Sequence, residues 1–352
     1  MCDERKRSVR PMIEVRDLTF EQMEQRAREV GATLPIEQTE LWSRFEATVP
    51  GRIPWGACEI VRDGGPMGFV SLIEYETHGY RYLRAHHAPV WVGEPSPEQE
   101  DEALAALAAH LHARDRKQVF VRLAVSAELD RCCETLSTLP YDTTVVVDLT
   151  GGEDEILARM KPRGRRDVRK ALRESPVECA DETERATESF EEYHALMRET
   201  AERDGFSCAP VGYFQNMIRT LGPEHCRVFA GRIDGELVTW AIDTVYEGVS
   251  VHYYAASKSG SVRAYATDKL VFFECCALAE RGVTAFDLMG IGSDRFPEML
   301  TLNKFKTKFS KETAPVAPDR DLPLRPRFYG ALVAAKKLRA KARSHASGEK
   351  DA

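Results

Sequence analysis

The chain has 352 residues, 43% hydrophobic and 30% charged, with mean hydropathy −0.39 and net charge −7, long enough for roughly two domains, each burying its own core. No apolar run approaches the about 20 residues that cross a bilayer, which excludes an integral helical membrane protein. Met1 to Arg10 is charged and has no apolar h-region, so it predicts no export signal. Nine cysteines, odd in number, with adjacent pairs Cys132/Cys133 and Cys275/Cys276 and no C-x-x-C, predict reduced thiols and a cytoplasmic protein. The charge is uneven. Leu157 to Arg173 holds eight basic residues and one acid, so this segment carries +7 and the rest of the chain −14. A second basic stretch runs from Arg325 to Arg343.

In chain order, WGACEIVRDGGPMGFVSLIEY reads as a hairpin around Asp63-Gly64. YRYLRAHHAPVWV follows, then the helix EDEALAALAAHLHARD with Leu104, Leu107, Ala108 and Leu111 on one face, and the strand QVFVRLAV. Glu155 to Glu174, Ala186 to Arg203 and Tyr213 to Leu221 read as helices. The first pattern then recurs: a hairpin around Asp234-Gly235, the strand VSVHYYAAS, the helix TDKLVFFECCALAERG and the strand TAFDLMGI. The interval from turn to final strand is similar in both, Asp63 to Val119 and Asp234 to Ala285. Two copies of one α/β (α+β) unit are predicted. NKFKTKF alternates Phe305, Thr307 and Phe309 with Lys304, Lys306 and Lys308, as a strand with one solvated face would. Lys311 to Arg327 reads as an extended proline-rich linker. Phe328 to Arg343 reads as a basic amphipathic helix packing on the second domain through Phe328, Leu332 and Leu338, and Ser344 to Ala352 as disorder. The domains expected are 11–150, 151–320 and a basic helix and tail over 321–352.

Strands, a helix and another strand in this order belong to acyltransferase cores of the acyl-coenzyme A N-acyltransferase (GNAT) kind. Such cores bind pyrophosphate on a glycine-rich turn before the helix. Here that turn reads Arg263-Ala264-Tyr265-Ala266-Thr267, without glycine, so a different acyl donor is expected.

Seven segments in order, PIEQTELW (35–42), APVW (88–91), RGRRDVRKA (163–171), ETAERDGF (199–206), HYYAAS (252–257), FDLMGI (286–291) and NKFKTKF (303–309), resemble the FemABX transferases and span nearly the whole folded chain. The resemblance implies two tandem GNAT-like domains with a cleft between them. It implies transfer of an amino acid from aminoacyl-tRNA to an amine of a peptidoglycan precursor, either UDP-MurNAc-pentapeptide or lipid II. Phe206 to Cys226 leaves no room for a coiled-coil arm. His86-His87-Ala88 stands where the family shows R-G-P-V and an acid, which leaves open a specialised-metabolite amine as acceptor.

The chemistry fits. An ester attacked by an amine needs positioning, loss of a proton and oxyanion stabilisation, but no nucleophilic side chain, cofactor or metal. The histidines and cysteines show no triad or metal spacing. The catalytic candidates are Lys306, matching the family's F-K-x-x-F lysine, with Phe305 and Tyr254. Arg203, Arg44, Tyr82 and Trp42 are candidates for binding the acceptor; the resemblance implies that the two arginines hold its diphosphate, a contact that suits guanidinium. Arg159, Arg163, Arg166, Arg169 and Lys170 are candidates for tRNA phosphates. The Phe328 to Arg343 helix is a candidate for peripheral contact with anionic lipid. Two other classes remain open: an acyl-coenzyme A N-acyltransferase, and a non-catalytic protein binding RNA or precursor.

Overall fold

A computed structural model describes residues 12–260 and 264–348. The chain folds as two units. The first runs to Ser43, resumes over Gly51–Thr138 and closes with the chain from Asp319 onward, while the second takes Arg44–Pro50 and Leu139–Pro318.

The first unit opens with β1 (Ile13–Leu18), α1 (Phe20–Glu29) and the start of α2 (Glu40–Glu46). It continues with β2 (Arg52–Arg62), β3 (Gly65–Thr77), β4 (Tyr80–Arg84), β5 (Val90–Trp91), α3 (Pro97–Arg114) and β6 (Gln118–Ala124). The second unit contains β7 (Thr143–Asp148), α4 (Glu153–Arg159), α5 (Pro162–Glu174), β8 (Glu178–Asp181), α6 (Thr183–Glu188), α7 (Glu191–Asp204) and α8 (Val211–His225). There follow β9 (Cys226–Ile233), β10 (Glu236–Tyr246), β11 (Val249–Ser257), α9 (Ala266–Glu280), β12 (Ala285–Gly290), α10 (Leu300–Lys306) and β13 (Ala314–Pro315). The chain ends in the first unit with β14 (Asp319–Pro323) and α11 (Pro326–Gly348).

The duplicated sequence pattern appears as duplicated topology. The first sheet runs β1-β2-β3-β4-β6-β14, with β5 on β3, and the second β13-β7-β12-β11-β10-β9-β8. In each, three antiparallel strands meet a parallel one across a helix: β4 with β6 across α3, β11 with β12 across α9. Asp63-Gly64 and Asp234-Gly235 both have positive φ at each residue, as do His78-Gly79 and Glu247-Gly248 at the next turns. Two successive left-handed residues make the turn whose twist suits a hairpin. Leu104, Leu107 and Leu111 of α3 bury against Val70, Leu72 and Leu83, while Leu270, Val271 and Leu278 of α9 bury against Val145, Phe229 and Phe286. On the other face of the second sheet, Trp240 lies among Phe190, Tyr193 and Phe214 of the α7–α8 region.

Several sequence expectations are corrected. NKFKTKF is the end of helix α10 and a turn, because the tertiary contacts of five of its residues outweigh a three-step alternation too short to specify a strand. Glu155 to Glu174 breaks into α4 and α5 at Met160-Lys161: Pro162 opens α5 and holds Lys161 extended at φ −59°, ψ 152°. Ala186 to Arg203 likewise divides between α6 and α7. The proline-rich stretch carries β13 and β14, the latter paired along β6 from Asp319↔Ala124 to Pro323↔Phe120. Helix α11 runs through Gly348 and packs on the first unit through Tyr329, Leu332 and Val333. Phe328 and Leu338 are exposed. Residues 349–352 and Arg263 lie outside the described residues. No helix among the described residues is long and apolar enough to cross a membrane.

Candidate active site

The site grows from an irregularity in β11. Asp243 of β10 pairs with His252 and Ile242 with Tyr254, leaving Tyr253 as a bulge. The bulge puts His252 on the face covered by α9, where its Nδ1 lies 3.2 Å from Glu274. It turns Tyr254 to the opposite face, edge-on to Phe214 and with its hydroxyl 3.0 Å from that of Tyr213. Strand β11 pairs with β12 only from Val249 to Val251. Beside its remaining length lies a pocket of about 160 Å³, lined by Ser257, Thr200 and Arg203 of α7, Thr267 of α9, Phe305 of α10, and His252.

Helix α10 is held in place by its own motif. The Asn303 side-chain amide takes both backbone groups of Gly292 at 2.8 Å, Lys308 forms an ion pair with Asp268 at the start of α9, and Phe309 is buried in the α9 core. Lys306 is thereby turned inward, its Nζ donating to the Gly290 carbonyl at 2.9 Å. Burial pushes its ammonium down to about 8, opposed in part by the Asp287 carboxylate. Gly290 is required there because a Cβ would overlap the Tyr141 ring. Gly164 of α5 faces the Lys308 carbonyl so closely that a Cβ would overlap it, and Lys161 N–H donates to the same oxygen at 3.1 Å. The basic helix is therefore seated two residues from Lys306.

Of the residues singled out from sequence, Phe305 and Arg203 line the pocket and Lys306 follows directly after Phe305. Arg203 reaches the Ser257 carbonyl at 2.7 Å and pairs with Asp204. Tyr254 lies on the other face of the sheet. Arg163, Arg166 and Arg169 are exposed on α5 and Lys170 is half-exposed. Asp167 partners Arg163 and Arg166, and Glu174 partners Lys170. Arg159 is already engaged by Asp148, Glu155 and the Thr150 carbonyl. Arg44 is exposed in the segment Arg44–Pro50. Trp42 and Tyr82 belong to the first unit and are core residues, Trp42 edge-on to His86 and Tyr82 stacked 4.6 Å from Phe120.

The sequence did not disclose the group Asp243, His252 and Glu274. Both carboxylates are fully buried. Burial and the Glu274 charge push the Asp243 carboxyl up. Burial by itself would lower the His252 imidazole, and the two carboxylates raise it instead. The three residues stand 9 and 22 positions apart on β10, β11 and α9, a spacing that matches no ligand motif. Only the histidine of HYYAAS was visible. Asn303 and Gly164 were visible as letters of motifs, without their roles.

Two GNAT-like units in tandem define the chain as a protein of the GNAT transferase fold. The family model described as acetyltransferase (GNAT) domain matches residues 159–297. Among solved structures the chain is similar to FemX, at TM-score 0.67 and 16% identity over 90% of this chain and 99% of that one. It is also similar to a tandem GNAT protein from the clavulanic acid biosynthesis pathway (0.51, 14%, 89% and 99%) and to L-PGS from Bacillus licheniformis (0.50, 14%, 90% and 96%). At these identities the likeness is one of fold. No curated protein sequence matches the chain.

Proposed function

We propose that the protein transfers an amino acid from aminoacyl-tRNA to an amine of a peptidoglycan precursor. The observation that carries this reading is Lys306: a half-buried lysine whose ammonium is held by one carbonyl, next to Phe305 on a pocket beside the open length of β11. The amine attacks the ester carbonyl, the C–N bond forms, and the ester C–O bond breaks. The proton lost by the amine leaves with the ribose hydroxyl. Lys306 stabilises the oxyanion formed in between, an interaction strengthened by its partial removal from water. Arg166, Arg169 and Lys170 attract the tRNA phosphates, and Arg203 binds phosphate on the acceptor. A donor other than coenzyme A is supported by the start of α9, where Tyr265 and Ala266 occupy the turn that glycines form around pyrophosphate.

A specialised-metabolite amine is the second reading, favoured by His86-His87-Ala88 and by the fold shared with the clavulanic acid pathway protein. One experiment separates these readings. The protein is incubated with total aminoacylated tRNA, one labelled amino acid at a time, and with UDP-linked pentapeptide, lipid-linked precursor or a metabolite extract. A ribonuclease-sensitive amide product on either precursor is expected. Product on the extract alone moves the acceptor, and product from acyl-coenzyme A without tRNA overturns the donor.

A further inference from the structure

We propose that Asp243, His252 and Glu274 hold one divalent transition cation of the zinc or manganese type, bridging β10, β11 and α9 behind the wall of the pocket. Ligand-like atoms of all three lie within 4.8 Å of one another. Nδ1 of His252 is 3.2 Å from Asp243 Oδ1 and 3.2 Å from Glu274 Oε2. A tetrahedral cation with bonds of about 2.0–2.1 Å separates its ligand atoms by about 3.3–3.4 Å, so little movement is needed to admit one. Imidazole and carboxylate are donors suited to such ions.

A second observation points to a missing ligand. Nδ1 carries at most one proton, so it can donate to only one of the two carboxylates that it faces. Glu274 Oε1 and Oε2 and Asp243 Oδ2 are sealed from solvent and have no hydrogen-bond donor, although both residues are fully buried. Buried carboxylate oxygens without donors are rare in folded proteins and call for an ion or water. A cation would satisfy one oxygen of each carboxylate and oppose their charge.

The first unit supplies an internal control. Counted from the second hairpin turn of each unit, Glu74 and Leu83 occupy the cross-strand positions of Asp243 and His252. Glu74 is provided for by the Gln118 amide and by Arg81, 3.5 Å away, and Leu83 packs in the α3 core. Where the fold needs only a buried acid, it surrounds the acid with donors. The second unit instead adds another acid and an imidazole.

Cobalt(II) titration of the purified, chelator-treated full chain tests this. The result expected is saturable binding at one equivalent, with visible bands of nitrogen–oxygen ligation and no sulfur-to-cobalt charge transfer, displaced by zinc. Glu274→Gln and His252→Asn should each weaken binding by about 100-fold or more. His110→Asn should leave it unchanged, since the second ligand-like group among the described residues, Asp17, Cys58 and His110, includes a thiol and is already engaged by Arg114. Anomalous diffraction at the cobalt edge places the ion in unmodified protein, independent of how the variants fold. Absence of saturable binding, binding unaffected by Glu274→Gln, or anomalous density elsewhere overturns the proposal. If Glu274→Gln raises the Tm of the metal-free protein while the unmodified chain binds no cobalt, a proton occupies the site instead.

Discussion

The two units share a strand order and a turn pattern, yet one is closed where the other is open. In the first, β4 and β6 stay paired through Arg84↔Arg122, and backbone bonds from Ala85 to Arg122 and from Ala124 to Ala88 extend the contact. Beside them Arg122 and Asp321 form a bidentate pair, fully buried, with Leu136 N–H and the Tyr329 hydroxyl also donating to Asp321. In the second, β11 is bulged at Tyr253 and parts from β12 after Val251, and the space beside it becomes the pocket. One copy of the fold uses its buried charge to join strands. The other places Lys306 and the group Asp243, His252 and Glu274 beside the end of the β11–β12 ladder. Duplication supplied the scaffold, and a bulge with a shortened parallel ladder distinguishes the unit that carries the candidate chemistry.

The sharpest way to break this contrast is to exchange which property each charge supports. Lys306→Met should lower the single-turnover transfer rate by about 100- to 1,000-fold, as loss of an oxyanion donor does, while leaving the Tm unchanged or raised. Arg122→Met should do the reverse, costing about 3–5 kcal/mol in denaturant unfolding because Asp321 is left buried and unpaired. If Arg122→Met leaves stability intact, or Lys306→Met unfolds the protein, the division of labour is wrong.

Gly164→Ala should destabilise by about 1–3 kcal/mol in thermal unfolding, since the new methyl meets the Lys308 carbonyl rather than a movable side chain. It should also slow transfer by displacing α10. The pH dependence separates the two consequences of burying Lys306. Its folded-state pKa of about 8 lies below the ordinary lysine value, so between pH 8 and 10.5 the unfolded chain binds more protons and this group's contribution to stability rises with pH. The rate should instead fall as pH passes 8 and the ammonium loses its charge. A rate that rises through pH 8 would make Lys306 a base. The smallest effect is expected from Arg169→Ala, which should reduce the slope of log binding constant for tRNA against log salt by about 1, without changing the Tm.

Much of the fold was legible because short-range physics writes it. Asp-Gly at two turns, apolar spacing on α3 and α9, and similar intervals from turn to final strand pointed to the tandem units. NKFKTKF was misread because Asn303, Phe305, Lys306, Lys308 and Phe309 each answer to a different partner: Gly292, the pocket, Gly290, Asp268 and the α9 core. A heptapeptide with five separate tertiary contacts shows no period of its own. The basic run was legible as charge, but Arg159, drawn to Asp148 and Glu155, differs from exposed Arg169 in a way that composition does not record.

The amino-acid sequence by itself determined the duplication, the hairpins, the helical faces and the concentration of positive charge, all properties of residues near one another along the chain. The tertiary structure decided that the tail returns to the first sheet, that Tyr253 bulges and turns His252 toward Glu274, and that Lys306 points inward. These depend on which backbone groups find partners across separations of tens to hundreds of residues, and on burial, which changes the electrostatics of a side chain without changing its letter.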